Sequence, residues 1–179
     1  DLALVTIGRN SGEFADRNSQ DDFYLSKAEK NLLATVSSIY HKQGKKVVVV
    51  LNIGGVIETA SWRDQVDAIL LAWQPGQEAG YAIADILSGD TNPSGKLATT
   101  FAVNLEDYPA AENFPGVVLE EIPPGERSLF IQAKRAEIVY QDSIRVGYRA
   151  FNADDTQPAF PFGYGQSYTQ FSYSDPTLS

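Results

Sequence analysis

Apolar runs alternate with segments of helical periodicity along the first two-thirds of the chain. Residues 2–7, 47–51 and 68–73 are mostly apolar, and we predict a strand for each of them. The first run ends at Gly8 and is almost free of polar residues, which is typical of a strand buried on both faces. Apolar residues between these strands recur every three to four positions, which predicts helices. Strands separated by helices indicate parallel βαβ units.

Capping residues predict where the helices begin and end. Ser26 and Glu29 have the spacing of a capping box, and Gly44 is suited to end the helix that they begin. A short helix over 58–63 and a longer helix over 78–87 are predicted further along the chain. The predicted fold class is therefore α/β, a layered α/β sandwich with a mostly parallel sheet flanked by helices and an irregular C-terminal extension.

The regular alternation stops in the second half of the chain. We assign residues 1–150 to a partial α/β sandwich domain with a long surface flap at about 104–137, where prolines and charges concentrate. Residues 97–101 are predicted as one more strand, and 138–148 as a last irregular pair of strands. The aromatic and glycine-rich residues 151–179 are interpreted as a strap packed against the domain, and a surface that stacks sugars is the alternative.

Charge and composition exclude several classes of function. The 179 residues carry a net charge of -9, which is unsuited to nucleic-acid binding and compatible with a neutral ligand. The absence of cysteine excludes disulfides, and a single histidine, His41, argues against a histidine-based triad or a multi-histidine metal site. No apolar run approaches the ~20 residues of a membrane span, so no membrane partner is expected.

The segment from Arg9 to Arg17 is the strongest candidate for chemistry. It follows the first strand directly, so we expect it at the carboxyl edge of the sheet, where open α/β folds bind ligands. Its Glu13 can serve as a general acid or base if burial raises its pKa, and solvated loop charges are the alternative. Ser11 lacks the G-x-S-x-G elbow of serine hydrolases, and His41 is interpreted as complementing a helix dipole.

Two further loops follow the second and third strands. Gly54 and Gly55 could bind a phosphate, but no Walker lysine and no G-x-G-x-x-G pattern is present, so we interpret them as a tight turn. Glu78 is placed at the start of a helix, where the dipole favours an anion, and we favour a structural role for it. Because the Walker lysine and the G-x-G-x-x-G pattern are missing, a nucleotide-binding α/β protein is a weak alternative.

Several segments resemble motifs of glycoside hydrolase family 3, and they occur in the family's order over most of the chain. Residues 9–17 resemble the R-x-S-G-E-G-x-D-R segment, and residues 72–80 resemble the A-W-x-P-G-Q-E-x-G loop. The chain as a whole is similar to the C-terminal α/β sandwich domain of the β-glucosidase type. The remaining matches lie at 22–25, 47–54, 89–97, 146–149 and 160–169.

The resemblance implies part of a retaining, exo-acting β-glucosidase that hydrolyses terminal non-reducing β-D-glucosyl residues of a β-glucoside or oligosaccharide, without a cofactor or metal. By position, Glu13 is the general acid/base, and Ser11, Phe14 and Arg17 bind substrate or support the loop. In the family the nucleophilic aspartate comes from an N-terminal (β/α)8-like barrel, and a fibronectin type III-like domain often follows. The barrel is the expected partner, and the isolated chain is expected to be inactive.

Three positions depart from the family pattern. Phe14 and Asp21 stand where glycine is usual, and Gln166 replaces a leucine, which affects the expected loop geometry and substrate fit. The strand and helix with which the family's sandwich domain begins are also missing, so we expect a fold that is incomplete at its N-terminus. A β-xylosidase or other exo-glycosidase, and a non-catalytic module that binds a carbohydrate or a partner, stay open as alternatives. A homodimer and a secreted, periplasmic or cytoplasmic location are all compatible with the sequence.

Overall fold

The computed structural model of the protein describes residues 2–10, 12, 16–126 and 134–177. A parallel sheet and two longer helices form its first half, and a small antiparallel ribbon and a short helix lie in the second half. No helix among these described residues is long and apolar enough to cross a membrane. In chain order the elements are β1 (Leu2–Gly8), α1 (Lys27–Lys42), β2 (Lys46–Asn52), β3 (Ala68–Leu71), α2 (Ala79–Ser88), β4 (Val117–Glu121), β5 (Lys134–Glu137) and α3 (Tyr148–Ala153).

The three strands of the main sheet are parallel and lie in the order β1-β2-β3. Val5 pairs with Val49 in the central strand, and Val49 pairs in turn with Ile69. Helix α1 connects β1 to β2 and packs against both, which is the βαβ unit that the sequence pattern predicts. The carboxyl ends of β1 and β2 therefore meet at one edge of the sheet, and Arg9 continues their ladder through a bond from its N–H to the Asn52 carbonyl (3.1 Å).

The hydrophobic core lies between this sheet and α1. Val47 and Val49 of β2 are completely buried, and they pack in one cluster with Leu33 of α1 and with Trp62, which is 2% exposed. Burial of such side chains contributes about 1.5–3 kcal/mol each. The core thus holds rigidly the strands from which the loops at the carboxyl edge emerge.

Strand β1 corrects one expectation, because it is buried on one face only. Ala3, Val5 and Ile7 face the core, whereas Leu2 and Leu4 are 46% and 54% exposed. The side chains of a strand alternate between the two faces of its sheet, and α1 covers only one of those faces. The uninterrupted apolar run therefore predicted the strand correctly, but the prediction that both of its faces are buried is wrong.

The predicted capping box of α1 is confirmed. Ser26 Oγ accepts a bond from the Glu29 N–H (3.3 Å), and Glu29 Oε2 accepts one from the Ser26 N–H (2.8 Å). Helix α2 begins after Glu78, as expected, and ends at Gly89, whose φ of 88° is left-handed. No residue of α2 is fully buried.

Other predicted elements differ in detail from the structure. The short helix predicted at 58–63 is found slightly later, as a single 3-10 turn over Arg63–Gln65. It follows a turn held by Glu58, whose carboxylate accepts bonds from the Ser61 N–H (2.6 Å) and hydroxyl (2.8 Å). Strand β3 ends at Leu71, because Trp73 takes a left-handed φ of 53° that an extended strand does not allow. The pair of strands predicted at 138–148 is found earlier, as the exposed antiparallel ribbon of β4 and β5.

The segment 160–168 runs alongside residues 92–101. The strand predicted at 97–101 is reduced to an isolated bridge, in which Phe101 and Phe160 exchange two backbone hydrogen bonds, of 2.8 and 3.2 Å. Leu97 donates to the Tyr164 carbonyl at 2.8 Å, and the Ser167 hydroxyl donates to the Pro93 carbonyl at 2.6 Å. The second half of the chain is thus joined to the first by backbone pairing as well as by aromatic contacts.

Asp67 joins the end of α1 to the start of β2. Its Oδ2 accepts a bond from the Val47 N–H (2.8 Å) and lies 2.9 Å from His41 Nε2, while its Oδ1 accepts a bond from Lys46 Nζ at 2.7 Å. These donors, Lys46 foremost, hold the pKa of Asp67 well below its ordinary value. The only histidine of the chain therefore takes part in a junction at the amino edge of the sheet.

We predict that Asp67→Asn loosens this junction at neutral pH. A carboxyl whose pKa is lowered by folding stabilises the folded state above its unfolded pKa, about 3.9 for Asp, and this contribution is lost as the pH falls towards the lower folded pKa. Amide hydrogen-exchange protection of residues 46–52 should therefore be weaker in the variant at pH 7, and the difference should shrink below about pH 4. The control is Asp64→Asn, since the Asp64 side chain is 90% exposed. Equal protection in wild type and Asp67→Asn would contradict the prediction.

Candidate active site

The loop that follows β1 is held at its beginning by Arg9. The Arg9 guanidinium donates to both carboxylate oxygens of Glu29, at 2.7 and 2.9 Å, and to the Asp22 carbonyl at 2.8 Å. The Arg9 side chain is only 7% exposed, so this bidentate pair is shielded from water. Such charge-assisted hydrogen bonds are stronger than hydrogen bonds between neutral groups. Arg9 thereby ties the end of β1 to the first turn of α1.

Glu29 combines two roles at this junction. Burial alone would raise the pKa of its carboxyl, but hydrogen bonds from Arg9 and Ser26 outweigh burial and hold the pKa below its ordinary value. The carboxylate is therefore charged at neutral pH. It caps the helix and neutralises Arg9 at the same time.

The same loop is held at its end by Arg17. Its Nε and Nη2 atoms donate to Asp22 Oδ1 at 3.0 and 2.8 Å, and its Nη1 donates to the Val56 carbonyl at 3.0 Å. Val56 belongs to the loop that follows β2. Arg17 thus connects the two loops that emerge from neighbouring strands at the carboxyl edge.

Glu13, Ser11 and Phe14 lie outside the described residues. Glu13 is midway in sequence between Arg9 and Arg17, the two side chains that hold the ends of the loop. Of the candidate site residues, Arg17 is the one whose contacts the structure describes. Those contacts are with the protein's own backbone and with Asp22.

Two positions that sequence reasoning set aside also shape this edge. A Cβ atom at Gly55 would lie 2.6 Å from Arg17 Nη1, so the absence of a side chain there makes room for the guanidinium. Asp21, where the family pattern has glycine, has a left-handed φ of 60°. Aspartate is among the few non-glycine residues that tolerate this conformation, which accounts for the substitution. The sequence marks Gly55 only as a glycine in a loop, and it marks Asp21 only as a residue that stands where the family pattern has glycine.

Comparison with known proteins agrees with this architecture. A model described as the glycosyl hydrolase family 3 C-terminal domain matches residues 1–168. The chain belongs to glycoside hydrolase family 3. Beta-glucosidase B of Emericella nidulans is 36% identical to it over 184 aligned residues, a match that covers 100% of this chain and 20% of that protein. Beta-glucosidase A of Butyrivibrio fibrisolvens is likewise 36% identical, over 98% of this chain and 22% of that protein.

Solved structures of this family show the same fold. Beta-glucosidase 3B from Thermotoga neapolitana, in a complex with glucose, superposes with a TM-score of 0.86 at 48% identity and covers 100% of this chain. Beta-D-glucoside glucohydrolase from Trichoderma reesei superposes with a TM-score of 0.71 at 30% identity. The chain spans about a fifth of the length of the curated relatives that it matches. The family 3 chain therefore corresponds to one domain of these larger proteins.

We predict that Gly55→Ala lowers the free energy of unfolding by about 1 kcal/mol, because the new methyl group displaces Arg17 and removes its hydrogen bond to Val56. Gly95→Ala is the matched control, since a Cβ atom there meets nothing within 4 Å. The measurement is chemical denaturation of both variants and of each combined with Arg17→Ala. The cost of Gly55→Ala should largely vanish in the Arg17→Ala background. A cost that is the same in both backgrounds would show that Gly55 acts independently of Arg17.

Proposed function

We propose that this chain supplies the general acid/base of a retaining, exo-acting β-glucosidase, with Glu13 in that role. The observation that carries the proposal is the loop from Arg9 to Arg17, which leaves the carboxyl edge of a parallel sheet and is tied down at both ends. Glu13 occupies the middle of that loop in sequence. Holding a reacting group on a loop with fixed ends lowers the cost of orienting it.

The chemistry follows from two carboxylates. One attacks the anomeric carbon of the sugar and forms a covalent glycosyl-enzyme, while Glu13 donates its proton to the departing oxygen. Glu13, now charged, takes a proton from a water molecule whose oxygen attacks the anomeric carbon. The bond from that carbon to the first carboxylate breaks, which frees the carboxylate and releases the sugar with retained configuration. Retention needs the two carboxyl groups roughly 5–5.5 Å apart. We propose that the second carboxylate is an aspartate of a barrel domain in the same protein.

Exposed apolar surface supports the idea that this domain works against another one. Leu2 and Leu4 on the open face of the sheet are about half exposed. Neighbouring apolar side chains exposed on one face of a sheet mark an interaction site on a folded domain. We propose that the barrel domain provides the covering surface and the sugar pocket. A β-xylosidase or another exo-glycosidase of the same family is the second candidate, because a barrel would decide which sugar fits.

The proposal predicts that Glu13→Ala, in the full-length protein that carries this chain, impairs hydrolysis according to the leaving group. Loss should be large, on the order of 10²–10⁴-fold, for a β-glucoside with a poor leaving group, because that group requires a proton. Loss should be smaller for an aryl β-glucoside with a good leaving group, and azide should restore activity by forming a glycosyl azide of retained configuration. The measurement is the rate of hydrolysis of both substrates with and without azide. The control is Glu112→Ala, which removes an exposed carboxylate of the flap.

Unchanged kinetics of Glu13→Ala would overturn the assignment. A uniform loss on all substrates without azide rescue would assign Glu13 a structural role instead. The same substrates serve to compare β-glucosides with β-xylosides, which separates the two candidate activities.

We also predict that the 179-residue chain alone does not hydrolyse an aryl β-glucoside, because it holds only one of the two proposed carboxyl groups. The measurement is turnover by the purified chain, compared with the full-length protein at equal concentration. Robust turnover by the chain alone would place both carboxyl groups within it and refute the two-domain site.

A further inference from the structure

A cavity of about 610 Å³ opens between α3 and the segment that follows it. Its volume lies within the ~300–1,000 Å³ typical of small-molecule sites. None of the described residues of the Arg9–Arg17 loop lines it, and the proposed reaction does not use it. The side chains on which the inference rests are Tyr148, Asn152, Asp155, Gln157 and Phe162.

Two aromatic rings form an apolar platform in the wall of this cavity. The rings of Tyr148 and Phe162 are stacked, with centroids 4.8 Å apart and planes inclined by 27°. Tyr148 is 40% exposed and Phe162 is 49% exposed, although each is large and apolar. The Arg149 guanidinium lies 5.8 Å from the Tyr148 centroid, so Phe162 has the freer ring face. A flat, half-exposed aromatic face suits a ligand with a flat apolar face of its own.

Hydrogen-bonding groups surround the platform. Asn152, Asp155 and Gln157 line the cavity and are exposed, and Gln157 Nε2 donates to Asp155 Oδ1 at 3.3 Å. The amides of Asn152 and Gln157 can donate to and accept from ligand hydroxyls, and the Asp155 carboxylate can accept from them.

We propose that this cavity is a second, non-catalytic binding site for a neutral saccharide. One face of a pyranose ring presents C–H groups that stack on Phe162, and its rim presents hydroxyls for Asn152, Asp155 and Gln157. An anionic ligand is disfavoured, because the described residues of the lining include Asp155 and no cationic side chain, and the chain carries a net charge of -9. The choice of a gluco-oligosaccharide as the ligand rests on the proposed function.

The test is isothermal titration of the full-length protein with thio-linked cellotetraose, which resists hydrolysis. We expect one binding event that depends on the platform, in addition to any binding at the catalytic site. Phe162→Ala should weaken this event roughly tenfold or more, and Phe162→Tyr, which keeps the ring, should restore it. Asn152→Ala should weaken it through the lost hydroxyl contact. Phe171→Ala is the matched control, because Phe171 is 59% exposed and does not line the cavity.

Hydrolysis of a small aryl β-glucoside by Phe162→Ala should match that of wild type, since this site is separate from the chemistry. Identical titrations of wild type and Phe162→Ala would overturn the proposal, and so would an equal effect of Phe171→Ala. If Glu13 proves not to be the acid/base, the difference between wild type and Phe162→Ala is still expected, so the two proposals fail separately. Circular dichroism of each variant checks that the fold is retained.

Discussion

The bidentate pair between Arg9 and Glu29 is the interaction on which the rest of the site depends. Glu29 is already committed to the N-terminal cap of α1, so its bond with Arg9 determines where the chain leaves β1 relative to that helix. Both side chains are largely shielded from solvent. Removing one partner of such a pair leaves the other buried without compensation, which costs far more than the intact pair contributes. The geometry of the loop therefore follows from a helix cap.

A second arginine extends this control to the neighbouring strand. Arg17 spans from Asp22 to the backbone of the loop after β2, through space left by Gly55. The core beneath consists of fully buried β2 valines and α1. A rigid sheet with crosslinked loops at its carboxyl edge can present a carboxyl group to a partner domain without a large ordering cost. The half-exposed leucines on the open face of β1 fit a domain that packs against another.

The second half of the chain is organised by aromatic packing and not by regular elements. Tyr108 lies in contact with both Phe23 and Phe151, and Phe101 contacts Trp73 and Phe160. These ring contacts connect the segments around the cavity to the edge of the main sheet. Long-range contacts of this kind leave no periodic trace in the sequence. The sequence accordingly predicted the ribbon of β4 and β5 in the wrong place and did not predict α3.

The sequence by itself determined the family, the parallel βαβ unit and the capping box, because each depends on residues close together or on a fixed motif order. Glu13 as acid/base was reached by motif position alone and stays a prediction. Only the tertiary structure decided that β1 is open on one face, that Arg17 passes over Gly55, and that the rings of Tyr148 and Phe162 stack in the wall of a cavity. These features depend on which distant residues meet, and a one-dimensional pattern of apolar and polar positions carries no information about such meetings.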